Sequence, residues 1–144
     1  MLIDIAAKGG NLALNVAPQP DGRLPMQAYK RMDEMGAWLK LYGDAIYGTR
    51  ICAPYVTDDF ASTQKAKENK VYAFCLADDI NAKNKLNIPY ADKKAVKVIN
   101  MANKSEVSFV QNSTGIELET STMAPSETFG GEFIAEVFEI SVKS

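Results

Sequence analysis

Two pairs of adjacent carboxylates, Asp58-Asp59 and Asp78-Asp79, and a third acid, Asp21 beside Gly22, could by residue type do acid–base work in this 144-residue sequence. A carboxylate becomes catalytic when burial or a specific partner moves its pKa. Adjacent residues in extended chain point their side chains to opposite faces. Both pairs sit at turn signals with no apolar run to enclose them, so they read as solvated turns. Asp21 reads as the acceptor of backbone N–H bonds in an Asx-type turn. Asp78, Asp79, Asn81 and Asn84 give a loop rich in oxygen ligands. It lacks the glycine and the terminal bidentate glutamate of a calcium loop, so no metal is assigned to it. Histidine is absent, which removes Ser-His-Asp and Cys-His catalysis and every imidazole metal site. Cys52 and Cys75 are too few for a Cys₄ zinc site or a disulfide framework. Cys75 lies in an apolar run, where a thiol behaves as a small hydrophobe, and two free thiols are expected.

The composition is that of a globular chain, with 47% hydrophobic and 24% charged residues. Sixteen Lys and Arg against 18 Asp and Glu leave a net charge of −2, with no basic excess for nucleic acid. No run approaches the roughly 18 apolar residues of a membrane span. The opening Met1-Leu2-Ile3-Asp4 lacks the charged and apolar regions of a signal peptide and looks internal to a larger protein. The length fits one domain or two small ones, at roughly 150 residues per domain.

The elements that must position any site fall into two halves of different period. Residues 1–7 fit either a helical turn or an extended piece. Lys8-Gly9-Gly10 is a breaker, and residues 11–16 then alternate. Leu12, Leu14 and Val16 share one face, while Asn11, Ala13 and Asn15 share the other. A strand with one branched and one small, polar face suits the wall of a (β/α)₈ barrel. Pro18, Pro20 and Gly22 force a loop, and Pro25 fits the first position of a helix. Ala28, Met32, Met35, Leu39 and Tyr42 make one apolar helical stripe, with Lys30 and Glu34 paired outside. Gly43 fits a left-handed C′ residue. From residue 71 onward, strands are predicted at 71–76, 85–88, 96–101, 106–111, 116–120 and 133–142. Turn signals between them (Asp78-Asp79, Pro89, Asn103-Lys104, residues 112–115, Pro125, Gly130-Gly131) argue for an antiparallel β-sandwich. Residues 50–70 read as a linker holding a short edge strand at 60–63. The fold class is therefore α+β, mainly β, with a small sandwich leaning on the preceding helix.

The run Lys8-Gly9-Gly10-Asn11, Leu14-Asn15, Pro18, Asp21-Gly22 and Leu24-Pro25 resembles the last strand and loop of the catalytic barrel in family-29 glycoside hydrolases, the α-L-fucosidases. A helix later, Gly43-Asp44-Ala45-Ile46-Tyr47-Gly48-Thr49-Arg50 resembles the same family's barrel ending. Thr63-Gln64-Lys65 followed by Val71-Tyr72-Ala73 is similar to the entry of its C-terminal sandwich. Ala13, Ala17, Tyr42 and Ile51-Cys52 depart from the family's usual residues and mark a divergent member. The resemblance implies residues 1–52 as the last strand–helix unit of the barrel and 53–144 as the sandwich. Its motif residues Gly9, Gly10, Asn11, Asn15, Pro18, Asp21, Gly22, Tyr47, Gly48 and Thr49 are then structural, with Asn11 and Asn15 satisfying each other inside the barrel.

The parent reaction implied is hydrolysis of terminal α-L-fucosides with retention, which needs no cofactor and uses two carboxyls roughly 5–5.5 Å apart. No position here matches the family's nucleophile or acid/base motifs, and the sugar-binding histidines have no counterpart. The chain therefore looks like a non-catalytic C-terminal fragment whose partner is the missing N-terminal barrel. The fucosylated glycan would belong to the parent alone. The parent's compartment stays open between periplasm, secretion and lysosome. Without its barrel neighbours, the strand at 11–16 would be disordered, join a sheet edge, or pair with a second copy in a homodimer. The helix would pack on the sandwich.

A different class, an accessory module binding carbohydrate or a partner protein, would need exposed aromatics. Trp38 is on the helix, and Tyr72, Phe74, Phe109, Phe133 and Phe138 fall in strands as core residues. Tyr55, Phe60 and Tyr90 are the freer candidates. Asn103-Lys104-Ser105 and Asn112-Ser113-Thr114 are glycosylation sequons in a eukaryotic secretory setting.

Overall fold

Helix α1 (Leu2–Ala7) settles the conformation of the first residues, with Ile3 and Ala7, four apart, buried on one face. The chain is described here from a computed structural model covering residues 1–76, 85–121 and 128–143. Gly9 and Gly10 end α1. The Gly10 amide donates to the Ile5 carbonyl (2.8 Å) and the Gly9 amide to Ala6 (3.0 Å), with Gly9 at φ +79°. That is a Schellman cap, and its left-handed C′ position favours glycine.

Residues 11–16 form no strand. Among the described residues, no backbone hydrogen bond involves residues 11–18. The alternation is present in the sequence, but a ladder requires a neighbouring strand, and this chain places none beside it.

Helix α2 (Met26–Tyr42) follows. Pro25 is its N-cap rather than its first residue, because its ψ of 144° is still extended. The expected stripe is buried only toward its end. Trp38 and Tyr42 are buried and Met35 and Leu39 half-buried, while Met32 and Met26 are exposed, since the sheet reaches only the C-terminal half of the helix. Gly43 is not left-handed. Its φ of −59° continues α2 into a 3-10 turn, Gly43–Ala45, closed by the Tyr47 amide on the Gly43 carbonyl (2.7 Å). Glycine is needed there for closeness instead: a Cβ would lie 3.0 Å from the Tyr47 ring.

The stretch expected as a linker is sheet. Strands β1 (Arg50–Val56) and β2 (Phe60–Lys65) form a hairpin, and β2 lies between β1 and β3 (Lys70–Cys75), not at an edge. Alternation in β2 is hard to see because small residues serve both of its faces: Ala61 and Thr63 on one, Ser62 on the other. The remaining strands are β4 (Lys85–Ile88), β5 (Ala95–Asn100), β6 (Phe109–Gln111), β7 (Ile116–Glu119), β8 (Thr128–Phe129), β9 (Glu132–Phe133) and β10 (Glu136–Val142). Two expected strands are shorter than predicted. Glu106 makes only an isolated bridge to Ile99, and Phe133 belongs to a separate hairpin turned by Gly130-Gly131. The signals at Asp78-Asp79 and Pro125 and the oxygen-rich loop at 78–84 lie outside the described residues.

The larger sheet has the order β1-β2-β3-β10-β5, the smaller β4-β7-β6, and every described pair is antiparallel. Two cores result. Val71, Ala73, Cys75, Phe138 and Ile140 face Leu86, Ile88, Ile116 and Leu118 between the sheets. Tyr72, Phe74 and Val137, one residue out of phase, face Ile3, Trp38 and Tyr42. The order of layers is thus helices, larger sheet, smaller sheet. Trp38 stacks on Phe74 with centroids 6.4 Å apart, so α2 packs on the sheet. Strand β1 crosses position 52/53. Among the described residues, no helix is long and apolar enough to cross a membrane.

Candidate functional site

The two glycine-containing motifs meet. Gly9, Gly10 and Asn11, carried out of α1 by its cap, face Tyr47, Gly48 and Thr49 across a cleft of about 650 Å³. Lys8 and Arg50 bring charge to the rim, and Leu2, Leu12, Ile46 and Ile51 bring apolar surface. A Cβ on Gly9 would lie 2.9 Å from Ile51, so the motif glycine lets the α1 cap approach β1. Thr49 Oγ1 donates to the Ile46 carbonyl (2.8 Å), which fixes the turn that presents the Tyr47 ring, 62% exposed. Asn15, Pro18, Asp21 and Gly22 are not brought to this cleft; they lie on the exposed loop before α2. Asp21 Oδ1 there accepts the Arg23 amide at 3.0 Å, an Asx turn. Asn11 and Asn15 are both exposed, so no barrel interior encloses them here.

Three residues beneath the cleft carry positioning roles that sequence patterning did not assign. Thr63 Oγ1, fully buried, donates to the Ala45 carbonyl (2.7 Å). Gln64 Nε2 donates to the Ile51 carbonyl (2.8 Å). Lys65 Nζ lies 3.6 Å from Asp44 and 5.8 Å above the Tyr72 ring centre. Together they tie β2 to the 3-10 turn and to β1. The visible signal was the triplet itself, which resemblance picked out and periodicity did not.

Chemically the cleft offers backbone, two cations, a phenol, the Asn11 amide and an apolar wall. Asp58 and Asp59 are exposed in the β1–β2 turn. Among the described residues the only buried acid is Glu136, 1% exposed, whose Oε1 accepts Asn100 Nδ2 at 2.5 Å between the two sheets. It lies in the sandwich, away from the cleft residues.

Tyr90, expected to be free for ligand stacking, is 4% exposed and part of the inter-sheet core. Burial, then the neighbouring Cys52 and Asp92, pushes its phenol up to about 12. Burial and then Asp92 raise the Cys52 thiol to about 11. Tyr72, Phe74 and Phe138 are core, and Phe60, Phe109 and Phe133 pack on it half-buried; Tyr55 is exposed. Neither cysteine is in a disulfide. They lie on β1 and β3 with β2 between, about 9–10 Å at ordinary strand spacing, beyond the reach of a disulfide.

The α-L-fucosidase family model matches residues 1–44, the segment that holds α1, Gly9, Gly10 and α2. The chain is 38% identical over 91 residues to plasma alpha-L-fucosidase of Rattus norvegicus, covering 61% of this chain and 20% of that protein. Against the Homo sapiens plasma enzyme it is 41% identical over 78 residues, covering 52% and 17%. The chain thus spans about a fifth of the curated relatives it matches. A solved Thermotoga maritima alpha-fucosidase, in complex with a mechanism-based inhibitor, superposes with a TM-score of 0.74 at 30% identity, over 96% of this chain and 32% of its own. Isoenzyme 1 of Paenibacillus thiaminolyticus shares the fold at TM-score 0.81 and 23% identity, over 99% and 33%. Matched in sequence through its helices and in backbone through its sheets, the chain is similar to a C-terminal portion of the α-L-fucosidases of glycoside hydrolase family 29.

Proposed function

We propose that this chain is the non-catalytic closing and bracing portion of a retaining α-L-fucosidase. Residues 1–52 belong with the barrel and 53–144 with the sandwich, and β1 is the strand that crosses between them. Residues 11–16 supply the final barrel strand once upstream polypeptide gives them neighbours. The cleft residues Gly9, Gly10, Asn11, Tyr47, Gly48 and Thr49 hold the junction, and Asn15, Pro18, Asp21 and Gly22 shape the loop that follows the strand. The parent hydrolyses terminal α-L-fucosides and needs no cofactor.

The observation that carries this reading is the meeting of the Gly9-Gly10-Asn11 start of one family motif with the Tyr47-Gly48-Thr49 end of the other at a junction that holds no carboxylate, remote from the chain's one described buried carboxylate. Retaining hydrolysis needs two carboxyls about 5–5.5 Å apart, and the paired aspartates that the structure describes lie in an exposed turn. A nitrophenyl α-L-fucoside assay on the chain alone, then mixed with the barrel portion of a family-29 enzyme, tests it. No turnover alone and restored turnover in the mixture are expected; turnover by the chain alone overturns the assignment.

The exposed Tyr47 ring at the cleft favours a rival, an accessory module that binds carbohydrate or a partner protein. Calorimetric titration with fucosylated glycans separates the two, since the bracing role expects no heat of binding. The unpaired segment 11–16 also gives a route to a homodimer, which light scattering would show as a doubled mass.

A further inference from the structure

Two short patterns lie outside the fucosidase reading. Of the nine asparagines, only Asn103 and Asn112 stand two residues before a hydroxyl residue, in Asn103-Lys104-Ser105 and Asn112-Ser113-Thr114. The fold treats them alike. Asn103 Oδ1 accepts the Ser105 hydroxyl (2.6 Å) and the Ser105 amide (2.9 Å). Asn112 Oδ1 accepts the Thr114 hydroxyl (2.7 Å), the Thr114 amide (2.8 Å) and the Gly115 amide (3.0 Å). In both, the carboxamide oxygen is engaged, and among the described residues no hydrogen bond uses its nitrogen. All six residues of the two triplets are exposed. Asn100 makes the contrast: buried, with its side chain spent on Glu136 and on the Ala102 amide, and outside any such triplet.

Placement adds a second, independent argument. Asn112 lies in the turn joining β6 to β7 of the smaller sheet, the layer on the far side of the larger sheet from both helices. Asn103 lies in the connection from β5 to β6. A bulky hydrophilic chain on Asn112 projects from the layer away from the helices, and Asn103 is exposed where the chain turns out of the helix-side core after Met101 and Ala102.

We propose that Asn103 and Asn112 are acceptors for N-linked glycans when the chain enters a glycosylating secretory pathway. In the step, a bond forms between Asn Nδ2 and the anomeric carbon of a lipid-pyrophosphate-linked oligosaccharide. The bond from that carbon to the pyrophosphate oxygen breaks, Nδ2 loses one proton, and lipid pyrophosphate leaves. The Ser or Thr hydroxyl orients the carboxamide through its hydrogen bond and is not consumed. Nothing in this depends on the fucosidase assignment.

The test is to express the full chain behind a secretory leader in cultured eukaryotic cells and to measure intact mass before and after enzymatic release of N-glycans. Secreted and membrane-retained chain are both measured, so a folding defect does not hide the answer. The mass is expected to fall by two glycans, and by one in Asn103→Gln and in Asn112→Gln. Ser105→Ala and Thr114→Ala should match the corresponding asparagine variants, and Ser105→Thr should retain its glycan. An unchanged mass on release, or a single glycan in the parent chain, overturns the proposal.

Discussion

The segment densest in family motif and the segment that holds the fold are different parts of the molecule. Residues 8–22 carry most of the matched motif positions, yet after the α1 cap they are exposed and almost without backbone partners. The sheets from β1 to β10 match the family only diffusely in sequence, yet they contain both apolar cores. Motif density and burial are thus separate signals here: the motif run lies where the chain buries little, and the sheets hold what the chain buries by itself. If that contrast is right, perturbing the sheets unfolds the chain and perturbing the motif loop does not.

The largest effect is expected at Phe74. It is fully buried on β3, stacked on Trp38, and joins the helical layer to the larger sheet. Phe74→Ala should lower the unfolding free energy by about 3–5 kcal/mol, read by denaturant titration. A loss below about 1 kcal/mol would mean that the helices and the sheet do not share a core. Next comes Thr63→Val, which keeps the shape and leaves the buried Ala45 carbonyl without its donor. A cost of about 1–3 kcal/mol is expected, with faster amide exchange at Ile46 and Tyr47 as the 3-10 turn loosens.

These two positions also show what the sequence made legible. The strands at 71–76, 85–88 and 116–120 could be placed within a residue or so, because apolar runs punctuated by turn residues report burial directly. Helix α2 was legible from its stripe, but which half of it would be covered was not, since that depends on how far a neighbouring sheet extends. Strand β2 was the hardest element. Ser62, Thr63 and Gln64 are buried or half-buried through hydrogen bonds to backbone carbonyls, and hydropathy has no term for that. Residues 11–16 failed the other way: the alternation is real, but a strand is a property of a pair. At the cleft, the residue types were legible by resemblance. That Gly9 and Gly43 serve different ends, a left-handed cap and a ring contact, appeared only with coordinates.

Alkaline pH should act on the sheets and spare the loop. Tyr90 and Cys52, both in the inter-sheet core, have their neutral forms favoured, to about 12 and about 11 from ordinary values of 10.0 and 9.0. Between about pH 9 and 12 the unfolded chain thus binds fewer protons than the folded one, and stability falls as pH rises through that window. Below about pH 9 this contribution is fully present. The denaturation midpoint should drop between about pH 9 and 12, and Tyr90→Phe should flatten the slope at its upper end. An unchanged midpoint would place both groups in water.

The smallest effect, and the sharpest test of the contrast, is at Leu14. It is 55% exposed, on the unpaired segment, in the face that alternation assigns to an apolar surround. In this chain alone Leu14→Asp removes no buried contact, so the change in unfolding free energy should stay within about 0.5 kcal/mol. Joined to upstream barrel polypeptide, the same aspartate would be forced into a packed wall, where an unpaired charge costs several kcal/mol. Restoration of fucosidase turnover by the mixture should then fail for Leu14→Asp while Leu14→Ile still restores it. If instead Leu14→Asp unfolds the isolated chain, residues 11–16 are part of its own core and the division between motif and scaffold is wrong. If the variant is silent in both settings, the segment does not enter the barrel, and its alternation reflects something other than a wall strand.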